Sequence, residues 1–354
     1  MKILIVSDAW FPQTNGVVHT LAQTADCLRR FGHEVHIAHP GEHRTIACPT
    51  YAEIRLAVFP RRKLARQIAA LQPHAVHIAT EGPLGLAARR HCIRHGLRFT
   101  TSYHTQFPQY LRSRFPIPPA ASYVALRWFH GAAHSCMVST QSVHTELAAH
   151  GFTNVVRWRR GVDTQLFRPR AKALLDFPRP IAAYVGRLAV EKNVDDFLRM
   201  PWRGTKIVIG DGPERARLQA QYPQAAYLGF RFGEDLAAHL AAADVMVFPS
   251  RTDTFGLVNL EAMACGVPVA AYPVTGPIDV IRDGVTGALD WDLSKAAARA
   301  LELDARACRE YALQSSWEDC TRQFESNLVA CRPNGLAPTP SVPSCNDLHT
   351  PARQ

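Results

Sequence analysis

Two carboxylates eight positions apart, Asp253 and Glu261, lie in the stretch of the chain best equipped for chemistry, PSRTDTFGLVNLEAMACGVPVAAYP (residues 249–273). It follows an apolar run, turns at Thr254, Phe255 and Gly256, and enters a helical pattern. The first N–H groups of a helix have no intrahelical partner and carry partial positive charge, so those of Gly256, Leu257 and Val258 would point at phosphate oxygens. An ionised carboxylate only accepts hydrogen bonds, which suits vicinal hydroxyls: Glu261 for a ribose, Asp253 for a sugar. Taken apart from the flanking loops, the same two residues read as an N-capping aspartate and an exposed helix glutamate.

Other candidates sit in similar places. RLAVEKN (187–193) follows the apolar run PIAAYVG and sets Arg187 and Lys192 at a strand end, where two cations can hold a diphosphate. A surface loop with Glu191 neutralising Lys192 is the competing reading. In SDAWFPQTNGVV (7–18) Gly16 allows a tight turn just before a helix, either to face an anion or as turn chemistry alone. GDGPE (210–214) has part of a dinucleotide fingerprint but lacks its third glycine.

The elements that must position these residues are legible as apolar runs alternating with helical stretches. KILIVS, HEVHIAH, AVHIA, RFTTSY, SCMVS and VVRW form one series of strands; PIAAYVG, KIVIG, AAYLG, DVMVFPS and VPVAAYP form a second. Strands apolar throughout and separated by helices predict parallel sheets covered on both faces. The expected fold is α/β, with two Rossmann-like, doubly wound domains facing a cleft, at residues 1–165 and 175–314. A helix over 315–330 is expected to pack back on the first domain, and the Pro/Ser/Thr-rich tail 332–354 to be disordered. Ligands of such sheets bind beyond the C-terminal strand ends, where the candidates fall.

The 354 residues suffice for two cores. Nine cysteines form no C-x-x-C pair and no zinc spacing, so reduced thiols in a cytosol and no metal centre are expected. No apolar run reaches the ~20 residues of a membrane span. Residues 1–165 hold 19 Lys/Arg against 8 Asp/Glu, whereas residues 166–354 hold 21 against 22. The whole net charge of +10 therefore comes from the first half, which points to an anionic partner, with solubility as the bland alternative. RRKLARQIAALQ (61–72) and YLRSRFPIPPAASYVALRWFHG (110–131) join basic to apolar or aromatic residues; Arg112, Arg114 and Arg127 with Phe115, Trp128 and Phe129 suit an anionic bilayer surface.

Taken together, DAWFPQTNGVVHTL, ATEGPLG, SYHTQFP, RRGVDTQLFRP, VGRLAVEKN and SRTDTFGLVNLEA make residues 2–330 resemble glycosyltransferase family 4, whose two-domain fold is called GT-B. The chain looks similar to bacterial enzymes that glycosylate diacylglycerol, close to the sulfoquinovosyl- and mannosyltransferase branch. The resemblance implies that Glu261 holds the ribose, and that Asp253, standing where the family has Glu, holds the transferred sugar with the Phe255–Val258 backbone. It gives Arg187 and Lys192 the diphosphate, Gly16 a glycine loop near the phosphates, and His104 a place beside the donor sugar, orienting it or polarising an acceptor hydroxyl. Catalysis by His104, Arg187, Lys192 and Asp253 would proceed with retention, by front-face attack assisted by the leaving diphosphate, without a metal or other cofactor. Asp8, Glu81, Tyr103 and Thr105, at strand ends of the first domain, are expected to line the acceptor pocket.

The expected reaction carries a hexose from a nucleotide-sugar, UDP-hexose first and GDP-mannose second, to a membrane lipid such as diacylglycerol. The enzyme would be cytoplasmic and peripheral on the inner face of the cell membrane. A nucleotide-sugar 2-epimerase shares the architecture and is the main rival. A nicotinamide oxidoreductase lacks its full G-x-G-x-x-G, and no nucleic-acid module is apparent.

Overall fold

Each of the two sheets is parallel throughout and is built from one stretch of the chain. The computed structural model describes residues 1–48, 51–106, 108–109 and 118–331. The first sheet contains β1 (Lys2–Val6), β2 (Glu34–Ala38), β5 (Ala75–Ile78), β6 (Thr100–Tyr103), β7 (Ser135–Val138) and β8 (Val155–Arg157), in the order β2-β1-β5-β6-β7-β8. A hairpin of β3 (Thr45–Cys48) and β4 (Tyr51–Ala57) stands apart from it. The second sheet contains β9 (Ile181–Val185), β10 (Thr205–Ile209), β11 (Ala226–Gly229), β12 (Val245–Phe248), β13 (Val269–Ala271) and β14 (Gly287–Leu289), in the order β11-β10-β9-β12-β13-β14. Both orders reverse direction beside the first strand of the set, and such a switch point opens a crevice at the strand ends.

The helices are α1 (Gly16–Arg30), α2 (Arg61–Leu71), α3 (Pro83–Arg94), α4 (Pro119–His130), α5 (Gln141–Ala149), α6 (Val194–Arg199), α7 (Arg215–Gln221), α8 (Gly233–Ala241), α9 (Leu257–Ala264), α10 (Pro277–Val280), α11 (Leu293–Leu301), α12 (Ala305–Leu313) and α13 (Trp317–Asn327). Period-two alternation sends successive strand residues to opposite faces, so both faces need helical cover. In the second sheet Ala183, Ile207, Ile209 and Met246 enter one buried cluster, and Ala182, Tyr184, Val208 and Val247 the other.

The chain crosses between the sheets twice. Residues 158–162 lead away from β8, and the segment before α13 brings the chain back. The two crossings touch: Val162 N donates to the Ser315 carbonyl at 2.9 Å, and a Cβ on Gly161 would stand 2.6 Å from Trp317 N. Helix α13 then lies on α1, placing Trp317, Cys320 and Phe324 in one cluster with Ile3, Ile5, Leu21, Leu28 and Trp158. Residues 332–354, where a disordered tail is expected, lie outside the described residues.

Candidate active site

Most of the candidate residues converge where the C-terminal ends of the two sheets face each other. On the second-domain side, β12 ends at Phe248 and the chain turns into α9 through Gly256, whose φ of 78° is natural only to glycine. A Cβ there would stand 2.6 Å from Nδ2 of Asn259 and 2.8 Å from Cζ of Phe248. A glycine cap brings no side chain to take the Leu257 and Val258 amides, whereas Asn259 N already donates to the Gly256 carbonyl at 2.9 Å. The start of α9 is thus left as an anion-binding end.

Asp253 does not cap α9. Both its oxygens take Nζ of Lys192, at 2.8 and 2.7 Å, so the diphosphate candidate and the sugar candidate form one ion pair. That pair, rather than a neutralisation of Lys192 by Glu191 alone, joins the loops after β9 and β12. Arg187 opens the same loop after β9 and is half-buried. Glu261, one turn into α9, is not the exposed glutamate of the alternative reading. Burial raises its pKa to about 7, and among the described residues its carboxylate has no hydrogen-bond or ion-pair partner.

The first domain meets this loop directly. A Cβ on Gly16 would lie 3.7 Å from Cδ1 of Leu257. The Val17 and Val18 amides are already taken by the Asn15 side chain at 3.0 Å, so what Gly16 adds is close approach. Thr254 Oγ1 donates to the His104 carbonyl at 2.8 Å, while Ser139 and Thr140 donate to the Thr254 carbonyl at 3.0 and 3.2 Å. Further along, Asp279 accepts from Ser142 N at 3.0 Å and from the Ser142 hydroxyl at the start of α5. His104 is half-buried and both its ring nitrogens are engaged: Nε2 is 2.8 Å from Ser102 Oγ and Nδ1 is 3.3 Å from Arg160. Burial, with Arg160 nearby, holds its pKa well below the ordinary value.

The expected acceptor pocket is rearranged. Asp8 accepts from the Leu84 and Gly85 amides at 2.8 and 3.2 Å and from Thr80 Oγ1 at 2.9 Å, so both oxygens serve the start of α3. Tyr103 is a core residue, 1% exposed, with no partner for its hydroxyl among the described residues. Glu81 pairs with His130 at 3.1 Å, and Thr105 is half-buried beside His104. Of the four, Thr105 and Glu81 alone keep some exposure, because the other two are consumed by a helix cap and by the core.

Sequence reading missed Gly276, Asp279 and Arg160. Gly276, with φ 93°, clasps the loop: a Cβ there would stand 2.6 Å from the Asp253 carbonyl. Its signal was present in TGPID, a glycine before a proline-started helix a few residues after a strand. Among the described residues no group of three or more His, Cys, Asp or Glu could hold a metal ion, and no helix is long and apolar enough to cross a membrane.

Comparison with known proteins agrees with this geometry. Residues 14–166 match the model described as Glycosyltransferase Family 4, and residues 179–303 that described as Glycosyl transferases group 1. A GDP-mannose-dependent alpha-mannosyltransferase of Mycobacterium tuberculosis is 32% identical over 316 residues, covering 82% of this chain and 83% of that protein. A sulfoquinovosyl transferase of Arabidopsis thaliana is 29% identical over 320 residues, covering 81% and 62%. Among solved structures, sucrose-phosphate synthase from Thermosynechococcus elongatus superposes with a TM-score of 0.74 at 22% identity, covering 92% of this chain and 97% of that one. An Anabaena protein in complex with UDP and glucose gives 0.70 at 17%, covering 92% and 98%. With two parallel sheets facing a cleft and both halves matched, the chain belongs to glycosyltransferase family 4 and is a hexosyltransferase of the GT-B fold.

Proposed function

We propose that this enzyme transfers mannose from GDP-mannose to a membrane lipid acceptor such as diacylglycerol, with retention of anomeric configuration. The observation that carries a nucleotide-diphosphate donor is the pairing of a half-buried Glu261, without a partner among the described residues, with an uncapped α9 start on the same helix. A diol donating to Glu261 and phosphate oxygens accepting from Leu257 and Val258 N–H would satisfy both at once. GDP-mannose is placed first because the mannosyltransferase named above matches over most of both chains. A UDP-hexose is the second reading, carried by the resemblance to the diacylglycerol glycosyltransferases.

In this scheme Lys192 and Asp253 change partners when the donor enters. Lys192 turns with Arg187 to the diphosphate, and Asp253 takes hydroxyls of the sugar. The acceptor hydroxyl attacks from the face the diphosphate leaves, and the departing oxygen takes its proton. Once the donor is seated, stabilisation of the leaving charge by Arg187, Lys192 and the α9 amides needs no further reorganisation, and losing one such donor costs about 3 kcal/mol, roughly a hundredfold in rate. The scheme calls for no metal, so turnover undiminished by a chelator is expected.

The lipid acceptor is supported by the face of the first domain. Phe59 is 92% exposed and precedes the exposed Arg61, Arg62 and Lys63 of α2, whose Leu64 and Ile68 face the core. Basic groups beside an exposed aromatic ring suit an anionic bilayer. In the second basic stretch Trp128 is 59% exposed, but Phe129 is core; Arg112, Arg114 and Phe115 lie outside the described residues. A turnover screen of GDP-mannose, UDP-glucose and UDP-glucuronate against diacylglycerol in anionic vesicles tests donor and acceptor together. Glycolipid from GDP-mannose that vanishes in Glu261→Ala supports the proposal. Product from a UDP-sugar alone replaces the donor, and product only with soluble acceptors removes the lipid.

A further inference from the structure

Behind the cleft face of the first domain runs a line of polar side chains that the transfer scheme leaves unused. Arg160, just after β8, is 5% exposed. Its Nη1 donates to the carbonyls of Trp158 at 2.6 Å and Arg159 at 3.1 Å, and its guanidinium lies 4.1 Å from the centroid of the Trp158 ring. Its Nη2 lies 3.3 Å from Nδ1 of His104. On the far side of that ring, Nε2 is 2.8 Å from Ser102 Oγ, which is 3.1 Å from Nε2 of His77; Nδ1 of His77 is 2.9 Å from Thr100 Oγ1. His77, Thr100 and Ser102 are fully buried. No carboxylate among the described residues is paired with Arg160.

The direction of these bonds is forced from one end. A guanidinium carries donors and no acceptor, so Nδ1 of His104 must present its lone pair to Arg160. The single ring proton then sits on Nε2 and is donated to Ser102 Oγ. Ser102 is left to direct its own hydrogen to His77, or to the Ala79 carbonyl at 3.4 Å. Both nitrogens of His104 are thereby used inside the protein, while its main chain is held from the second domain by Thr254.

We propose that Arg160 is a positioning residue of the transfer reaction: through Nδ1 it fixes His104 as a neutral imidazole with its proton on Nε2, so that His104 enters the cleft as a rigid, non-titrating element. The groups around the ring agree. Arg160, His77 from β5 and His130 from α4 all oppose a positive charge there, the Trp158 ring packs edge-on at 5.7 Å, and the nearby Glu81 is taken by His130. Arg160 itself stays charged at neutral pH, burial lowering its pKa only to about 10. The functional half of the inference rests on the cleft being the site of transfer; the ring assignment does not.

The test is long-range proton–nitrogen spectroscopy of the full chain labelled at histidine, beside pH profiles of kcat and KM. In the wild type, His104 is expected to stay neutral and protonated on Nε2 from roughly pH 5.5 to 8, below and above the ordinary histidine pKa. Arg160→Met should release Nδ1, so that the Nδ1-protonated tautomer appears, and should raise the His104 pKa while burial still opposes the charge, shifting the acid side of the kcat profile upward while donor KM changes less. Arg160→Lys, which keeps charge and donor, should restore the flat profile. A wild-type ring protonated at pH 7 or carrying its proton on Nδ1 would overturn the proposal, and this measurement holds even where Arg160→Met fails to fold. So would a folded Arg160→Met with an unchanged tautomer and profile. Absence of glycosyl transfer in the wild type, with the ring state as expected, counts against the transfer reading rather than the role of Arg160 in setting the ring.

Discussion

Glu261 is held where its own charge is opposed. Its pKa of about 7, against 4.5 for an ordinary glutamate, comes from burial alone. Between those values the folded state binds more protons than the unfolded state, so stability falls as pH rises through the window. Glu261→Gln is therefore expected to stabilise the donor-free enzyme by about 1–3 kcal/mol at pH 8, read as a raised Tm, and to do little at pH 4. The same substitution should weaken nucleoside diphosphate binding, since a diol donates to the ionised form. Wild-type affinity should fall as pH drops below 7, and calorimetric titration of the variant should show that dependence gone. Stability and binding then pull in opposite directions at one side chain, which is common where a site is built to receive a ligand. The spacing of Asp253 and Glu261 made this pair legible in the sequence because both flank one strand-to-helix junction. Arg160 was not legible: its contact with His104 spans 56 positions and exists only through the packing of β6 against the segment after β8.

At the scale of elements, α9 owes its free amides to Gly256. Gly256→Ala would force a left-handed backbone on alanine and press its Cβ onto Phe248 and Asn259. We expect donor KM to rise and kcat to fall by at least tenfold, with global Tm lowered by only a few degrees, since the strain is confined to one turn. The strands were readable because β1, β5, β7, β9 and β12 are apolar at nearly every position, the mark of a sheet covered on both sides. The hairpin of β3 and β4 escaped because it joins neither sheet and carries Glu53 and Arg55 among its apolar residues, so no continuous run announces it. β14 escaped because three residues, one of them Gly287, are too short a signal. Phe324 of α13 is fully buried against Trp158 and His77, and Phe324→Ala should cost about 3–5 kcal/mol in denaturant unfolding.

At the scale of the molecule, the two sheets are held face to face by a few polar contacts: Thr254 with His104, Ser139 and Thr140, and Asp279 with the start of α5. None could be read from sequence, since each joins residues more than a hundred positions apart and depends on domain docking. A carboxylate at the other domain's helix start contributes about 1–2 kcal/mol. Asp279→Ala is thus expected to lower kcat/KM about tenfold and to enlarge the radius of gyration in solution scattering, without lowering the Tm of either domain. A variant as compact and as active as the parent would show that Asp279 has no part in closure. The return of α13 to the first sheet also bears on how the chain is made. During translation β1 and α1 emerge first, yet Trp317, Cys320 and Phe324, which complete their core, leave the ribosome some three hundred residues later. The second domain has every strand it needs by residue 289 and can close while its predecessor still waits. In this protein the half synthesised first is the half finished last, and the nascent N-terminal domain must survive that interval with one flank of its core uncovered.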